Sequence, residues 1–428
     1  MFQPALESMP LSELRQLQSQ GLQKLVARLY EKVPFYQQKL DGLSVRPDDI
    51  KHISDLAKLP FTYKDDLRQH YPFGLFTMPV SELARIHCSS GTTGKPTVVG
   101  YSPRDLEIFA EVNARSLAAA GAQPGMMLHN AYGYGLFTGG LGLHAGAERL
   151  GMTVVPVSGG MTDRQIMLLQ DFGPQVICCT PSYAQTLADE LHRRQIDPAS
   201  LNLAFAVLGA EPWTESIRQQ VEAGLQVKAT NIYGLSEIIG PGVSQEAVEE
   251  RGTGSYVWED HFYPEVVDPD TGEVLPEGQD GVLVITTLTK EAFPILRYWT
   301  NDICSLHYDP HGKRSHIKMS AIKGRADDML IIRGVNLFHT QVEELLPQIP
   351  ELSPFYQLIV RRSRNLDSVE VKVEVKEGIP IKEEFGQALA HKIKQNIGLN
   401  MEVNLLTYGE IPRSEGGKLS RIVDLRSK

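Results

Sequence analysis

Residues 88–97 read CSSGTTGKPT, in which Ser89, Ser90, Thr92 and Thr93 surround Gly91 and Gly94 and the run closes on Lys95-Pro96. Small residues let backbone N–H groups approach an anion closely, and hydroxyls and a lysine add donors and positive charge. The chemistry this composition suits is phosphate binding. It is not a Walker A loop. Only two residues separate Gly91 from Gly94, and proline follows the lysine, whereas that motif separates its glycines by four and opens a helix with Lys-Ser/Thr. The flanks ARIHC and TVVGY are β-branched and alternating, which predicts two strands with the loop as their hairpin tip. A ligand-free Gly/Thr turn is the plainer reading of such a loop.

Other stretches offer complementary groups. NAYGYGLFTGGLG (130–142) sets three aromatics among five glycines; backbone left bare by glycine lets a flat ligand lie close while rings cover its faces. A glycine-loosened core segment fits that run equally well. In YGLSE (233–237), Tyr233 has the face to stack on a purine and Glu237 the carboxylate for a divalent cation, against the plainer reading of a helix-starting charge. Asp302 in RYWTNDI suits sugar hydroxyls, or is a turn aspartate. PRSEGGKLSR (412–421) carries Lys418 behind Gly416 and Gly417. Arg361, Arg362 and Arg364 suit either a phosphate or a solvated strand edge. His129, between Leu128 and Asn130, is expected to be packed rather than catalytic.

Elements that could position such groups follow from periodicity. Leu11, Leu14, Leu17, Leu25, Leu29 and Val33 recur at helical spacing, predicting an amphipathic N-terminal helix. Ser102-Pro103 reads as N-cap and first helical residue of a helix running to Gly121. Next, the strands MMLHNA, TVVPV, QVICC, LAFAVLG and QVKATNIY alternate with helices such as TDRQIMLLQDF and PWTESIRQQVEAG, and Thr180-Pro181 starts another. Several of these strands are apolar throughout, as in a parallel sheet covered on both faces. YGLSE follows the last of them, where open parallel sheets bind ligands. From about residue 255 the pattern turns antiparallel: DPDTGE is a hairpin turn, and GVLVITTL and SHIKMSAI are strands expected in a small barrel or sheet. The final hundred residues alternate short strands with two helices, TQVEELLPQI and EEFGQALAHKIKQNI, which predicts a compact α+β unit.

Composition narrows the function. At 428 residues and 42% apolar the chain is long enough for a large core and two domains. Residues 325–428 hold equal numbers of acidic and basic side chains, so the net charge of −10 lies upstream. That balance argues against nucleic acid as a partner. No apolar run reaches the ~18 residues of a membrane span, and the N-terminus has no signal-peptide pattern. The four cysteines, Cys88, Cys178, Cys179 and Cys304, match no metal spacing, and a cytoplasmic setting is expected.

SSGTTGKPT, YGLSE, RYWTNDI, GRADDMLIIRG and a terminal P-x-x-x-x-G-K occur in that order. Together they resemble the adenylate-forming superfamily of acyl-CoA synthetases, luciferases and adenylation domains. NAYGYGLFTGGLGLHAGAERLG, GAEPW, GLSEIIGPGV and GRADDMLIIRGVNLF resemble, within it, the phenylacetate–CoA ligase family, over essentially the whole chain. The resemblance implies an α/β fold: a large multi-sheet N-terminal adenylate-forming domain (1–324) and a small mobile α+β C-terminal domain (325–428). It implies an ATP-dependent ligase that turns an arylacetic acid, phenylacetate first, into acyl-AMP and then the CoA thioester. Alternatives are a ligase for another aryl acid, of indoleacetate or benzoate type, or a nucleotide-binding homologue without ligase activity. A homodimer is the family's usual state.

The resemblance also assigns roles. Ser89, Ser90, Gly91, Thr92, Thr93, Gly94 and Lys95 would close over the β- and γ-phosphates of ATP. Gly209, Ala210, Glu211 and Pro212 would border adenine and the acyl group. Tyr233, with Gly234, would meet adenine, Glu237 would hold Mg²⁺, and Asp302 and Arg325 would bind the ribose. Tyr132, Phe137, Gly209 and Ala210 would form the aryl pocket. Asp327 matches the hinge, Gly334 the tunnel for the pantetheine of coenzyme A, and Lys418 the adenylation lysine. Some relatives carry cysteines after GPGV; SQEAVEERGTGSYVWEDHF has none, so no zinc is expected.

Overall fold

The computed structural model describes the chain except residues 90–95, 327–329, 333–334, 364–365, 415–419 and 427–428. Ser90 to Lys95, Asp327, Gly334, Arg364 and Lys418 therefore lie outside the described residues.

The N-terminal helix Leu11–Lys32 buries Leu14, Leu22, Leu25, Val26 and Leu29; of the residues whose spacing predicts it, Leu14, Leu25, Leu29 and Val33 are buried, whereas Leu11 and Leu17 are exposed. β1 (Arg85–Cys88) and β2 (Val98–Tyr101) pair antiparallel as the expected hairpin. The helix Pro103–Ala119 starts where Ser102 caps it: the Ser102 hydroxyl accepts from the Asp105 amide, and the Asp105 carboxylate accepts from the Ser102 amide.

The alternating run folds as β3 (Met127–Asn130), β4 (Thr153–Val155), β5 (Val176–Cys179), β6 (Phe205–Gly209) and β7 (Lys228–Leu235). They pair in parallel in the order β4-β3-β5-β6-β7. β5 is buried along its whole length, and β6 except at its first residue, because helices cover both faces. β8 (Gly240–Glu246) and β9 (Ser255–Val257) then extend the sheet antiparallel from β7.

A second, four-stranded sheet follows, with β10 (Phe262–Val267), β11 (Gly281–Thr287), β12 (Tyr298–Cys304) and, after two short strands, β15 (Gly324–Arg325). SHIKMSAI corrects the sequence expectation. Of its residues only Lys318–Met319 is a strand, β14, which with β13 (Leu306–His307) joins β9 at the edge of the large sheet. Local alternation identified extended chain; which sheet it joined depended on a partner some sixty residues upstream.

The C-terminal unit has a short hairpin, β16 (Leu330–Ile332) and β17 (Val335–Leu337), and a four-stranded sheet. In that sheet β18 (Leu352–Ser363) and β19 (Leu366–Val375) pair antiparallel, flanked in parallel by β21 (Ile422–Asp424) and β20 (Glu402–Leu406). Helix Glu383–Ile397 matches its expected span. Helix His339–Glu343 is shorter than TQVEELLPQI suggests, and a 3₁₀ turn over Leu346–Gln348 takes up Pro347. This unit has its own core, built from Leu330, Leu337, Val342, Tyr356, Val371 and Leu389 among others.

Candidate active site

A cavity of about 760 Å³ opens at the end of the parallel strands, between the large sheet, the second sheet and the C-terminal unit. Tyr233 and Gly234 lie at the last turn of β7, where the sheet changes from parallel to antiparallel and the register shifts. The shift bends the strand and re-aims its side chains. Gly234 is required there by close approach: a Cβ would lie 1.9 Å from the Gly240 carbonyl oxygen. The four-residue turn Ser236–Ile239 joins β7 to β8 and carries Glu237, 7% exposed, to the cavity wall. The Ser236 hydroxyl lies 3.2 Å from that of Thr138.

The second sheet brings in the rest of the polar wall. Asp302 on β12 pairs in register with Arg325 on β15. The Tyr233 hydroxyl donates to one Asp302 oxygen at 2.6 Å, and the Arg325 guanidinium donates to the other at 3.0 Å. Residues separated by up to 92 positions thus form one hydrogen-bonded triad. Burial and the neighbouring Asp302 charge push the Tyr233 phenol well above its ordinary pKa. Tyr298, on the same strand as Asp302, reaches the Glu237 carboxylate and is likewise raised, chiefly by burial.

Buried Tyr132, half-buried Phe137 and Ala210 also line the cavity. Burial raises the Tyr132 phenol well above its usual range. Ala210 sits in the left-handed region (φ 71°), aiming the segment after β6 across the strand ends. At Gly209, which precedes Ala210, a Cβ would lie 2.1 Å from the Ile232 carbonyl oxygen, so glycine allows β6 and β7 to approach. Glu211 accepts from the Ser182 amide and hydroxyl at 3.1 and 2.9 Å, tying the rim to the helix that begins at Pro181. Pro212 borders the same rim. At the mouth, Ser89 lines the cavity, and its amide bonds the Thr97 carbonyl at 2.9 Å across the base of the loop.

Sequence reasoning did not single out three residues that the C-terminal unit brings to the cavity. His339, Glu343 and Arg421 face the cavity. The Tyr356 hydroxyl meets His339 Nδ1 at 3.0 Å and donates to Glu343 at 3.2 Å. Burial lowers His339 to about 4 and raises Glu343. Within TQVEELLPQI, Glu343 is indistinguishable from a solvated helix charge, so no local signal marks it. Arg361 and Arg362 pair with Glu370 and Asp367 on the exposed side of β18, as a solvated edge would. His129 is fully buried, with Nε2 against the Gln165 side-chain oxygen, as expected of a packed residue. Among the described residues, Glu111, Asp260 and His261 group closely enough to hold a metal ion. The Arg115 guanidinium already sits on both carboxylates at 2.6 and 2.8 Å, so that cluster is an internal ion network.

Two sheets that together present a Tyr–Asp–Arg set to a cleft, closed by a small α+β unit, belong here to an AMP-binding enzyme. The family model described as AMP-binding enzyme matches residues 25–289, and that described as AMP-binding enzyme C-terminal domain matches residues 334–426. The chain is 62% identical to phenylacetate-coenzyme A ligase of Thermus thermophilus, covering 100% of both chains. It is 51% identical to that of Aromatoleum evansii over 99% of this chain and 97% of the relative. It is 49% identical to that of Escherichia coli at the same coverages. The chain belongs to the phenylacetate–CoA ligase family.

Among solved structures, 2-hydroxyisobutyryl-CoA ligase in its postadenylation state superposes with a TM-score of 0.92 at 27% identity, covering 98% of this chain and 91% of that one. The same enzyme in its thioesterification state gives 0.74 at 28% identity over 99% and 92%. At nearly equal coverage, the relative placement of the two units here follows the postadenylation arrangement. No helix among the described residues is long and apolar enough to cross a membrane.

Proposed function

We propose that the chain is an ATP-dependent acid–thiol ligase that activates phenylacetate, or a ring-substituted arylacetate, first to acyl-AMP and then to the CoA thioester. In the first step a carboxylate oxygen attacks the α-phosphorus of ATP and pyrophosphate leaves. In the second the sulfur of coenzyme A attacks the acyl carbon and AMP leaves. Tyr233 faces adenine, and Asp302 and Arg325 receive the ribose hydroxyls. The loop Ser89–Lys95 closes on the β- and γ-phosphates. Tyr132, Phe137 and Ala210 enclose the ring. Lys418 steadies the charge that develops between carboxylate and α-phosphate, as a placed cation does. No residue needs to become a covalent nucleophile; positioning and electrostatics suffice.

The observation that carries this reading is one cavity lined both by the hydrogen-bonded Tyr233–Asp302–Arg325 triad and by Tyr132, Phe137 and Ala210. Glu237 fits a hard cation: its carboxylate is buried, faces the cavity and supplies oxygen donors. Bound there, Mg²⁺ would offset phosphate charge. We place the domain boundary after residue 324, with Asp327 as hinge and Gly334 at the pantetheine tunnel. The enzyme is read as a cytoplasmic homodimer serving aromatic-acid breakdown. A panel of acids assayed for AMP release with and without coenzyme A tests the whole scheme. CoA-dependent AMP release with arylacetates supports it. Release with a benzoate or indoleacetate alone moves the substrate, and release with no acid refutes the ligase.

A further inference from the structure

Lys290 takes no part in the chemistry above, yet it is only 4% exposed. It lies after β11 on a segment anchored at its next two residues, where the Asp105 carboxylate accepts from the Glu291 and Ala292 amides at 2.7 and 2.9 Å. The Lys290 ammonium sits 4.9 Å from the ring centroid of Tyr101 and 5.2 Å from that of Phe293. It donates to the Ile238 carbonyl at 2.8 Å. Ile238 directly follows Glu237 in the turn between β7 and β8. The next carbonyl, that of Ile239, accepts from the Tyr101 hydroxyl at 2.9 Å. Tyr101 ends β2, the strand that leaves the 88–97 loop. Two consecutive carbonyls of the Glu237 turn are thus held, one from the loop hairpin and one from Lys290.

A buried ammonium is an unfavourable way to fill space. An unbranched apolar side chain such as methionine would pack there without desolvating a charge. What the lysine adds is a long-reach donor to one carbonyl oxygen. It is not itself a wall of the cavity, so any effect on chemistry passes through the turn.

We propose that Lys290 is a positioning residue for adenylation, fixing the Glu237 turn against the hairpin that carries the phosphate loop. This rests on the roles given above to Glu237 and to residues 89–95. Lys290→Met tests it in three measurements: pyrophosphate exchange, thioester formation from synthetic acyl-adenylate, and hydrogen exchange of the Ile238 and Ile239 amides, which both bond the Leu235 carbonyl. The expected result is faster exchange of those amides and pyrophosphate exchange slowed about 10- to 100-fold in kcat. The KM for the acid and the thioester step should stay within about twofold. Unchanged adenylation, or equal slowing of both half-reactions in a folded variant, overturns the proposal. Tyr101→Phe removes the second tether and keeps the ring. It should slow adenylation alone by several-fold, and no slowing overturns the proposal even where Lys290→Met does not fold. A wild type that exchanges pyrophosphate with no acid defeats the ligase reading instead; the amide exchange then still decides whether Lys290 holds the turn.

Discussion

The two walls of the cleft are held in place by different means. On the wall built by the large sheet and the second sheet, Tyr233, Asp302 and Arg325 each stand on a strand paired to a neighbour, and Tyr233 and Arg325 both bond Asp302. The C-terminal wall also rests on a core of its own, but it meets the other unit through polar contacts. Thr340 Oγ1 donates to the Lys323 carbonyl at 2.8 Å, Tyr408 bonds Asp189, and Glu343 meets Thr214. A second cavity of about 350 Å³ lies along that seam, lined by Asp189, His192, Phe355 and Tyr408 among others. A polar, incompletely filled interface is what lets two rigid bodies change their relation. On the function proposed above, the difference teaches a division of labour: the fixed wall sets which molecules bind, and the wall behind the seam sets which half-reaction runs.

The largest expected effect concerns the movable side. Lys418→Ala should slow acyl-AMP formation about 10²- to 10³-fold, on the order of 3–4 kcal/mol. It should convert supplied acyl-adenylate and coenzyme A nearly as fast as wild type. Equal loss in pyrophosphate exchange and in thioester formation would erase the contrast between the walls.

On the fixed side, Lys290 gives a pH signature. Burial pushes its pKa down to about 8, with Asp105 and Glu237 opposing that shift, and His87 also feels its charge. The unfolded chain keeps this lysine charged up to about 10.5. The penalty of the buried charge is therefore full below pH 8 and lifts as pH rises toward 10.5. Wild type should gain stability on Lys290→Met over that range, by up to about 3 kcal/mol. Denaturant midpoints of the two proteins at a series of pH values measure it, and a difference independent of pH would contradict the buried charge.

On the proposed reading, substrate choice also belongs to the fixed wall. Phenylacetate should exceed acetate in kcat/KM by about 10- to 200-fold, the worth of burying a ring. Equal values would show that Tyr132, Phe137 and Ala210 do not set the acid. The smallest effect lies on the seam. Tyr408→Phe removes one hydrogen bond to partly buried Asp189, a loss of about 1 kcal/mol. Because the bond belongs to the postadenylation arrangement, adenylation should fall and thioester formation from supplied adenylate should rise, each by about 2- to 5-fold. Stopped-flow measurement of the two steps would show it; slowing of both would make the contact merely structural.

Much of the fold was legible because its signals are local. Ser102-Pro103 capped its helix, the strand run from MMLHNA to QVKATNIY folded as a parallel sheet, and helix 383–397 kept its span. SHIKMSAI was misplaced because extended conformation is local and sheet membership is not. In the site, Tyr132, Tyr233, Glu237, Asp302 and Arg325 meet in one cavity. At Gly209 the close approach to Ile232 is a contact that nothing within GAEPW encodes. Lys290, in LTKEAF, reads as an ordinary exposed lysine; only its burial beneath Tyr101 distinguishes it.

By itself, then, the sequence determined the ordered set of motifs, the period of each element and the division of charge between the two parts of the chain, because each depends on residue type and spacing along a short stretch. Tertiary structure alone decided that Tyr233 and Arg325 share Asp302, that Lys290 bonds the Ile238 carbonyl, and that His339, Glu343 and Arg421 line the same cavity. Those relations join groups far apart in the chain. They arise where packed sheets bring strand ends together, and no local pattern records which ends will meet.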